Sequence, residues 1–183
     1  MIKLARIIGI AGGMGSGKTS LMVALSDRLN ARTVSFGEYV KRKVVEAGGL
    51  PSIEALQEAG HGFIQNLGMR NFVLEVLGDA CVDYRDLLVI DGIRHLQAWE
   101  TLTQISEQRI LVYFDVSEDV RIERTRMRDG LEANTVRKHL EHPVEAQVSG
   151  LKMVADLVLR EGTVDSFVGE VCEYAKAKGL IWP

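Results

Sequence analysis

Residues Gly12-Gly13-Met14-Gly15-Ser16-Gly17-Lys18-Thr19 set four glycines, a lysine and a threonine in the pattern G-x-x-x-x-G-K-[ST], with Ser20 directly after it. Each residue type has a use if the guest is a polyphosphate. The glycines let the backbone turn tightly, so that successive N–H groups converge on an anion. Lys18 is placed to reach the β- and γ-phosphates of a nucleoside triphosphate, and the Thr19 hydroxyl to ligate Mg²⁺. The competing reading is a glycine-rich turn that merely joins two elements. Four glycines with Lys and Thr in one register count against it. The candidate anion cradle is therefore Gly12 through Ser20.

Such a loop needs a strand before it and a helix after it. Arg6-Ile7-Ile8-Gly9-Ile10-Ala11 is a short apolar run rich in β-branched residues, which predicts a buried strand. After the motif Leu21, Ala24, Leu25, Arg28 and Leu29 recur at helical spacing. A helix starting near Lys18 would bring the positive end of its dipole to the same anion.

Further along, Thr33-Val34-Ser35 predicts a short strand, and a helix follows from Glu38 to Ala47, ended by Gly48-Gly49-Leu50-Pro51. Ser52 caps another helix, and helical patterning continues to about residue 82. Phe36, Tyr39, Phe63 and Phe72 are expected to pack these helices against one another. Leu87-Leu88-Val89-Ile90-Asp91 is the clearest strand, four apolar residues ending in a carboxylate. Arg109 to Asp115 and Leu157 to Leu159 predict two more strands, and Val164 to Lys178 a final helix. Strands alternate with helices throughout, so a parallel sheet with right-handed crossovers is the economical topology. Ligands of such sheets sit at the carboxyl ends of the strands, where the glycine loop, Asp91 and Asp115 are expected to gather.

Asp91 stands where a phosphate-binding loop finds its Mg²⁺-side carboxylate; the alternative is a cap for the next helix. Gly92 follows it, so no adjacent Glu is available to activate water, and no N-K-x-D base-reading signature is present. Both features favour transfer to a bound acceptor over a molecular switch. Arg121, Arg124 and Arg128 fall at i, i+3 and i+7 on one helix face, with Arg126 elsewhere. That face is either a set of phosphoryl-facing cations or a solvated surface paired with Glu118, Asp119 and Glu123. His61, His95, His139 and His142 show no metal-ligand spacing and read as surface residues.

Composition narrows the classes. The chain has 183 residues, with 22 Lys and Arg against 25 Asp and Glu, so no overall basic field is available to hold nucleic acid. A chain of this length suits one domain and should bury roughly 70% of its unfolded surface without disulfide or metal staples. No run of about 18 apolar residues suggests a membrane span. The first strand begins within ten residues of Met1, leaving no room for a signal peptide, and Cys81 and Cys172 form no C-x-x-C pair. A reduced, cytoplasmic compartment is the expectation.

Gly12 to Thr19, Ser35-Phe36-Gly37-Glu38-Tyr39-Val40-Lys41 and Asp91-Gly92-Ile93-Arg94 together resemble the small P-loop kinases of the adenylate kinase and dephospho-CoA kinase group. The resemblance is closest to the adenylate-kinase-related proteins of archaea, with their similar Ser-x-Gly-acidic segment and acidic-Gly-Ile-Arg turn. Ala155-Asp156-Leu157-Val158-Leu159 with Gly162 resembles the last strand of dephospho-CoA kinases. The resemblance implies an α/β fold, a three-layer P-loop kinase core in a single domain over residues 1–183. It also implies a helical acceptor-binding insertion at about 36–82 and a short lid at about 126–136.

Carried over by position, it implies that Lys18 and Thr19 hold ATP phosphates and Mg²⁺, that Asp91 orders the metal's water shell, and that Arg94 touches the acceptor phosphate. Glu38 to Arg42 would lie on the acceptor side, with Lys41 or Arg42 standing for the family's acceptor-helix arginine. Gln97 would read a base, Arg124 and Arg128 would belong to the lid, and Arg70 is a further acceptor-side candidate or a surface arginine. The Pro that precedes the arginine in adenylate kinases is missing, since Ile93 precedes Arg94. The activity implied is Mg²⁺-dependent transfer of the ATP γ-phosphoryl group to a nucleoside monophosphate or similar small nucleotide. The alternatives are a dephospho-CoA-like hydroxyl acceptor, with Glu38 as base, and a nucleotide-dependent regulatory or assembly ATPase. Monomer and homodimer are both open.

Overall fold

The computed structural model describes residues 4–83 and 85–181. The strand that carries the glycine loop, β1 (Leu4–Gly12), lies in the middle of a five-stranded sheet among the described residues. Its companions are β2 (Arg32–Ser35), β3 (Leu87–Ile93), β4 (Ser106–Phe114) and β5 (Leu157–Leu159). The spatial order is β2-β3-β1-β4-β5 and every pairing is parallel. The helices are α1 (Lys18–Leu29), α2 (Phe36–Glu46), α3 (Ile53–Leu67), α4 (Met69–Asp79), α5 (Leu96–Ile105), α6 (Glu118–Asp129), α7 (Ala133–Leu140), α8 (Pro143–Leu151) and α9 (Val164–Ala177).

Period-two alternation along the strands sorts the core into two layers. Ile8 and Ile10 join Val89, Ile110 and Val112 beneath α1 and α9, where Leu21, Leu25, Phe167 and Val171 meet them. Ile7 and Ala11 join Leu88, Ile90 and Leu111 on the other face, against Phe72, Val76, Trp99, Leu102 and Val148. Each fully buried side chain such as Ile7 or Leu25 contributes about 1.5–3 kcal/mol by leaving water. The result is the three-layer α/β arrangement expected from the pattern.

The helices between β2 and β3 start where their caps dictate. The Ser35 hydroxyl accepts from the Glu38 N–H, so α2 begins at Phe36, two residues earlier than its periodicity suggests. Ser52 caps α3 in the same way. Phe36, Tyr39, Phe63 and Phe72 form one ring cluster that binds α2, α3 and α4 together, with Phe63 stacked on Phe72 at 5.9 Å.

Two expectations need correction, the end of the third strand and the place of His139. The third strand does not stop at Asp91; it continues to Ile93, because Ala11 of β1 pairs with Ile93 past a register shift after Ile10. The segment 126–136 holds the end of α6 and the start of α7, with Gly130 closing α6 in the left-handed conformation. Asp115 follows Phe114, the partner of Gly12, at the carboxyl end of β4, and its carboxylate pairs with Lys152 at 2.8 Å and Arg160 at 3.1 Å. His139 is buried, with its Nε2 3.4 Å from Glu54 Oε1 of α3. Among the described residues no helix is long and apolar enough to cross a membrane.

Candidate functional site

The chain leaves β1 at Gly12, loops through Gly13 to Gly17, and enters α1 at Lys18. Gly17 caps α1 with no side chain, so the first-turn N–H groups of that helix have no side-chain acceptor and are available to an anion. Gly15 has φ +78°, a conformation side chains rarely adopt, and a Cβ there would lie 2.5 Å from the Arg121 carbonyl oxygen and 2.6 Å from Thr125 Oγ1. The loop thus lies directly on α6. Met14 secures it further, buried against Ile122 of α6 and Val136 of α7.

Inside the loop the Lys18 ammonium donates to the Gly13 carbonyl at 2.8 Å and contacts Ser16 Oγ at 3.4 Å. Burial pushes the Lys18 pKa down to about 8; Arg94 pushes the same way, while Asp91 and Glu145 oppose. Thr19 Oγ1 donates to Asp91 Oδ2 at 3.0 Å, a contact that joins the first turn of α1 to β3. Asp91 is buried and its Oδ1 has no hydrogen-bond partner. A hydroxyl beside a carboxylate with a spare oxygen is a donor set that suits a hydrated Mg²⁺, so Thr19 and Asp91 are the residues that would hold one. Among the described residues no group of three or more His, Cys, Asp and Glu could hold a metal ion, so the remaining ligands there would be water and phosphate oxygens.

Cations ring the mouth of the loop. Arg124 Nη1 donates to the Ser16 carbonyl at 3.0 Å. Arg94, just past β3, pairs with Glu145 Oε1, and Arg121 Nη1 lies 3.4 Å from Glu145 Oε2. Glu145 Oε2 also accepts the Met14 N–H at 3.0 Å. Arg121 Nε and Thr125 Oγ1 are buried without a partner beside the loop, as they would be if their partner were a ligand.

The structure therefore brings Lys18, Thr19, Asp91, Arg94 and Arg124 together. It does not bring in the others named from outside the loop and α1. Arg128 turns away, forked onto Asp129 at 2.7 Å. Glu38 faces Lys41 at 3.7 Å on the exposed side of α2. Arg42 pairs with Asp79 and Glu46 and lies over the Tyr39 ring. These three line a groove of about 490 Å³ with Thr33 and Asp79 along β2 and α4. Arg70 donates to Gln104 at 3.2 Å, joining α4 to α5, and Gln97 is exposed at the start of α5. Ser20 is exposed in the first turn of α1. Sequence reasoning left Arg121 out of the site and missed Glu145. The one available signal for Glu145 was the surplus of arginines, which calls for a buried counter-charge.

Residues 8–144 match the model of the AAA_18 family, described as an AAA domain. A comparison with curated proteins finds no match. Among solved structures, the chain is similar to a shikimate kinase from Aquifex aeolicus, at 21% identity and a TM-score of 0.60, over 94% of this chain and 99% of that one. It is similar to an APS kinase from Mycobacterium tuberculosis solved with AMPPNP and APS, at 19% identity and a TM-score of 0.63, over 95% and 99% of the two chains. It is also similar to a gluconokinase from Sinorhizobium meliloti, at 14% identity and a TM-score of 0.61, over 97% and 95%. At such identities the likeness establishes the fold, which is that of the P-loop kinases.

The depressed Lys18 pKa has a sign that can be measured. Between about pH 8 and the unfolded value of 10.5 the folded chain binds fewer protons than the unfolded one, so stability rises with pH across that window. Below it, the buried charge is a cost. Lys18→Met should therefore raise unfolding stability at pH 7 by about 1–2 kcal/mol, the desolvation relieved less the hydrogen bonds lost. That advantage should shrink as the pH climbs past 8, as thermal melts across the range would read out.

Proposed function

This chain belongs to the AAA-domain family, and from that premise we propose that it is an ATP-dependent kinase that transfers the γ-phosphoryl group to a small-molecule acceptor. The observation that carries the reading is the ring of Arg94, Arg121 and Arg124 around the loop that holds Lys18. A binder needs the loop; transfer needs further cations where charge spreads over the moving group. Gly12 through Ser20 would wrap the ATP phosphates, with Lys18 on the β- and γ-groups. Mg²⁺ held by Thr19 and Asp91 would neutralise developing phosphate charge. In this reading α2, α3 and α4 form the acceptor side, and α6 with α7 the lid.

Within that class, a nucleoside monophosphate or similar small nucleotide is the first acceptor we propose, in keeping with the resemblance to adenylate kinases. Its phosphate is already ionised and needs no base, and Arg94 is the fork to receive it. A hydroxyl acceptor of the dephospho-CoA kind is the second. It is favoured by the pairing of Arg94 with Glu145, which answers part of the positive charge a phosphate would seek.

A panel of nucleotide and hydroxyl acceptors incubated with ATP and Mg²⁺ tests the proposal. A phosphorylated product that appears only with acceptor is the expected result, and Lys18→Ala should lower its rate by about 100-fold or more. ATP loss that needs a protein or RNA partner instead would point to a regulatory ATPase. Arg94→Lys keeps the charge but loses the fork, so the acceptor KM should rise by about tenfold while the ATP KM moves far less. Asp91→Asn should lower kcat and shift the Mg²⁺ concentration required. A lower Tm with unchanged kinetics would make Asp91 a structural cap.

A further inference from the structure

A buried carboxylate at the mouth of a loop suited to anions opposes the very ligand the loop would hold, unless it does something for its neighbours. Glu145 is such a group, with only 4% of its side chain exposed in the first turn of α8. Three separate elements donate to it: the loop through the Met14 N–H, the end of β3 through Arg94, and α6 through Arg121. Its own support is firm, because Val148 and Leu151 of α8 are buried in the core that β1 shares.

Gly13 supplies a second, independent observation. Its φ is outside the left-handed region, so its backbone does not demand glycine. What demands it is space: a Cβ at this position would stand 1.8 Å from Arg121 Nη1 and 3.2 Å from Glu145 Oε2. The loop has therefore given up a side chain so that the Arg121–Glu145 pair can press against its backbone. A carboxylate that merely kept an anion's place until a ligand arrived would need no such accommodation.

Glu145 engages the Nη1 group of each arginine. Each guanidinium has five N–H donors, so most remain for another partner, and Arg121 Nε is buried with none. We infer that Glu145 is a positioning residue, which holds Arg94 and Arg121 at the loop mouth so that their remaining N–H groups meet the phosphoryl group in transfer, with Gly13 kept small to admit them. The inference rests on the kinase reading above and assigns a role that this reading does not need.

Two variants test it by different routes. Glu145→Gln keeps the shape and an oxygen for the Met14 N–H but removes both ion pairs. Gly13→Ala leaves every charge in place and displaces chiefly the flexible tip of Arg121, with Glu145 Oε2 yielding far less, so the fold survives even if the first variant is lost. The acceptor panel on the wild type judges the kinase reading first; if no acceptor is phosphorylated, that reading falls and this inference with it. With the acceptor identified, both variants should lower kcat by about tenfold or more, with the ATP KM shifted by less than about threefold. Adding Arg121→Ala to Glu145→Gln should cost little beyond the worse single change, because the residues act as one unit. An unchanged kcat in either variant that folds overturns the inference while leaving the kinase reading intact. So do additive losses, or losses of rate that only track a falling Tm. A rate increase in Glu145→Gln would overturn it too, and would make the carboxylate a competitor of the ligand.

Discussion

A lysine ammonium held out of water between the Gly13 carbonyl and the Ser16 hydroxyl is the constraint to which the rest of the site answers. Burial alone weakens its hold on the proton, and Arg94 weakens it further. A buried charge persists in a fold only where something nearby, or something that binds, offsets it. Here the internal offset comes from Asp91 and Glu145, both of which favour the charged lysine. Each arrives from a different element, β3 and α8, so the position of Lys18 depends on the sheet and on the helix layer at once. The central place of β1, paired on both sides, gives the loop its fixed base.

Four cations, Lys18, Arg94, Arg121 and Arg124, stand in this region against two carboxylates. The whole chain carries a net charge of −3, so the positive field is a local construction and not a general property of the surface. Such a concentration of cations at the carboxyl ends of parallel strands is where an open α/β sheet takes its ligand. Three of the five unpartnered buried side-chain atoms among the described residues, Asp91 Oδ1, Arg121 Nε and Thr125 Oγ1, lie beside the loop; the others are Arg126 Nε on α6 and Ser106 Oγ at the start of β4. In a folded interior such atoms are uncommon, and the three beside the loop mark where polar partners are missing.

What the sequence disclosed and what it hid divide along the range of the interactions. The strand, loop and helix from Ile7 to Leu29 were legible because every determinant is local: β-branched residues, glycines, and a helical apolar period. Asp91 was legible for a related reason, as a carboxylate ending an apolar strand, and parallel topology then placed it beside Thr19. Glu145 was not. In the first turn after His142-Pro143 it looks like any acid placed at a helix start, and its partners lie 131, 51 and 24 residues away in sequence. The arginine face of α6 was read with the correct period, yet period cannot say which turn of a helix meets the loop. Arg121 and Arg124 do, whereas Arg128 is one turn further along and finds Asp129. The basic residues of α2 are a different matter, since Lys41 and Arg42 have acids within reach on their own helix and line the groove along β2 and α4. His139 read as a surface residue because nothing in its spacing shows that α7 lies against α3.

That last contact bears on how the site can open. Met14, Ile122 and Val136 form a small cluster of their own, with Ile53 of α3 and Leu131, Ala133 and Leu140 packed around it as partly buried neighbours. It is the meeting point of the loop, α3, α6 and α7, separate from the two large cores on the sheet. Its polar supports are slight: one contact between His139 and a Glu54 side chain that is 63% exposed, and one hydrogen bond from Gln57 to the His139 carbonyl. A contact with an acid so exposed is worth at most about 1 kcal/mol, and a few half-buried side chains add little by comparison with the layers beneath α1 or above α5. Parting α3 from α7 therefore costs far less than disturbing β1 or α1, and it leaves the Lys18, Thr19 and Asp91 contacts intact. Motion in such a fold concentrates where buried apolar contact is thinnest. The glycine loop is built onto the firmly packed part of the molecule, and α3 and α7 meet across a thinly packed seam.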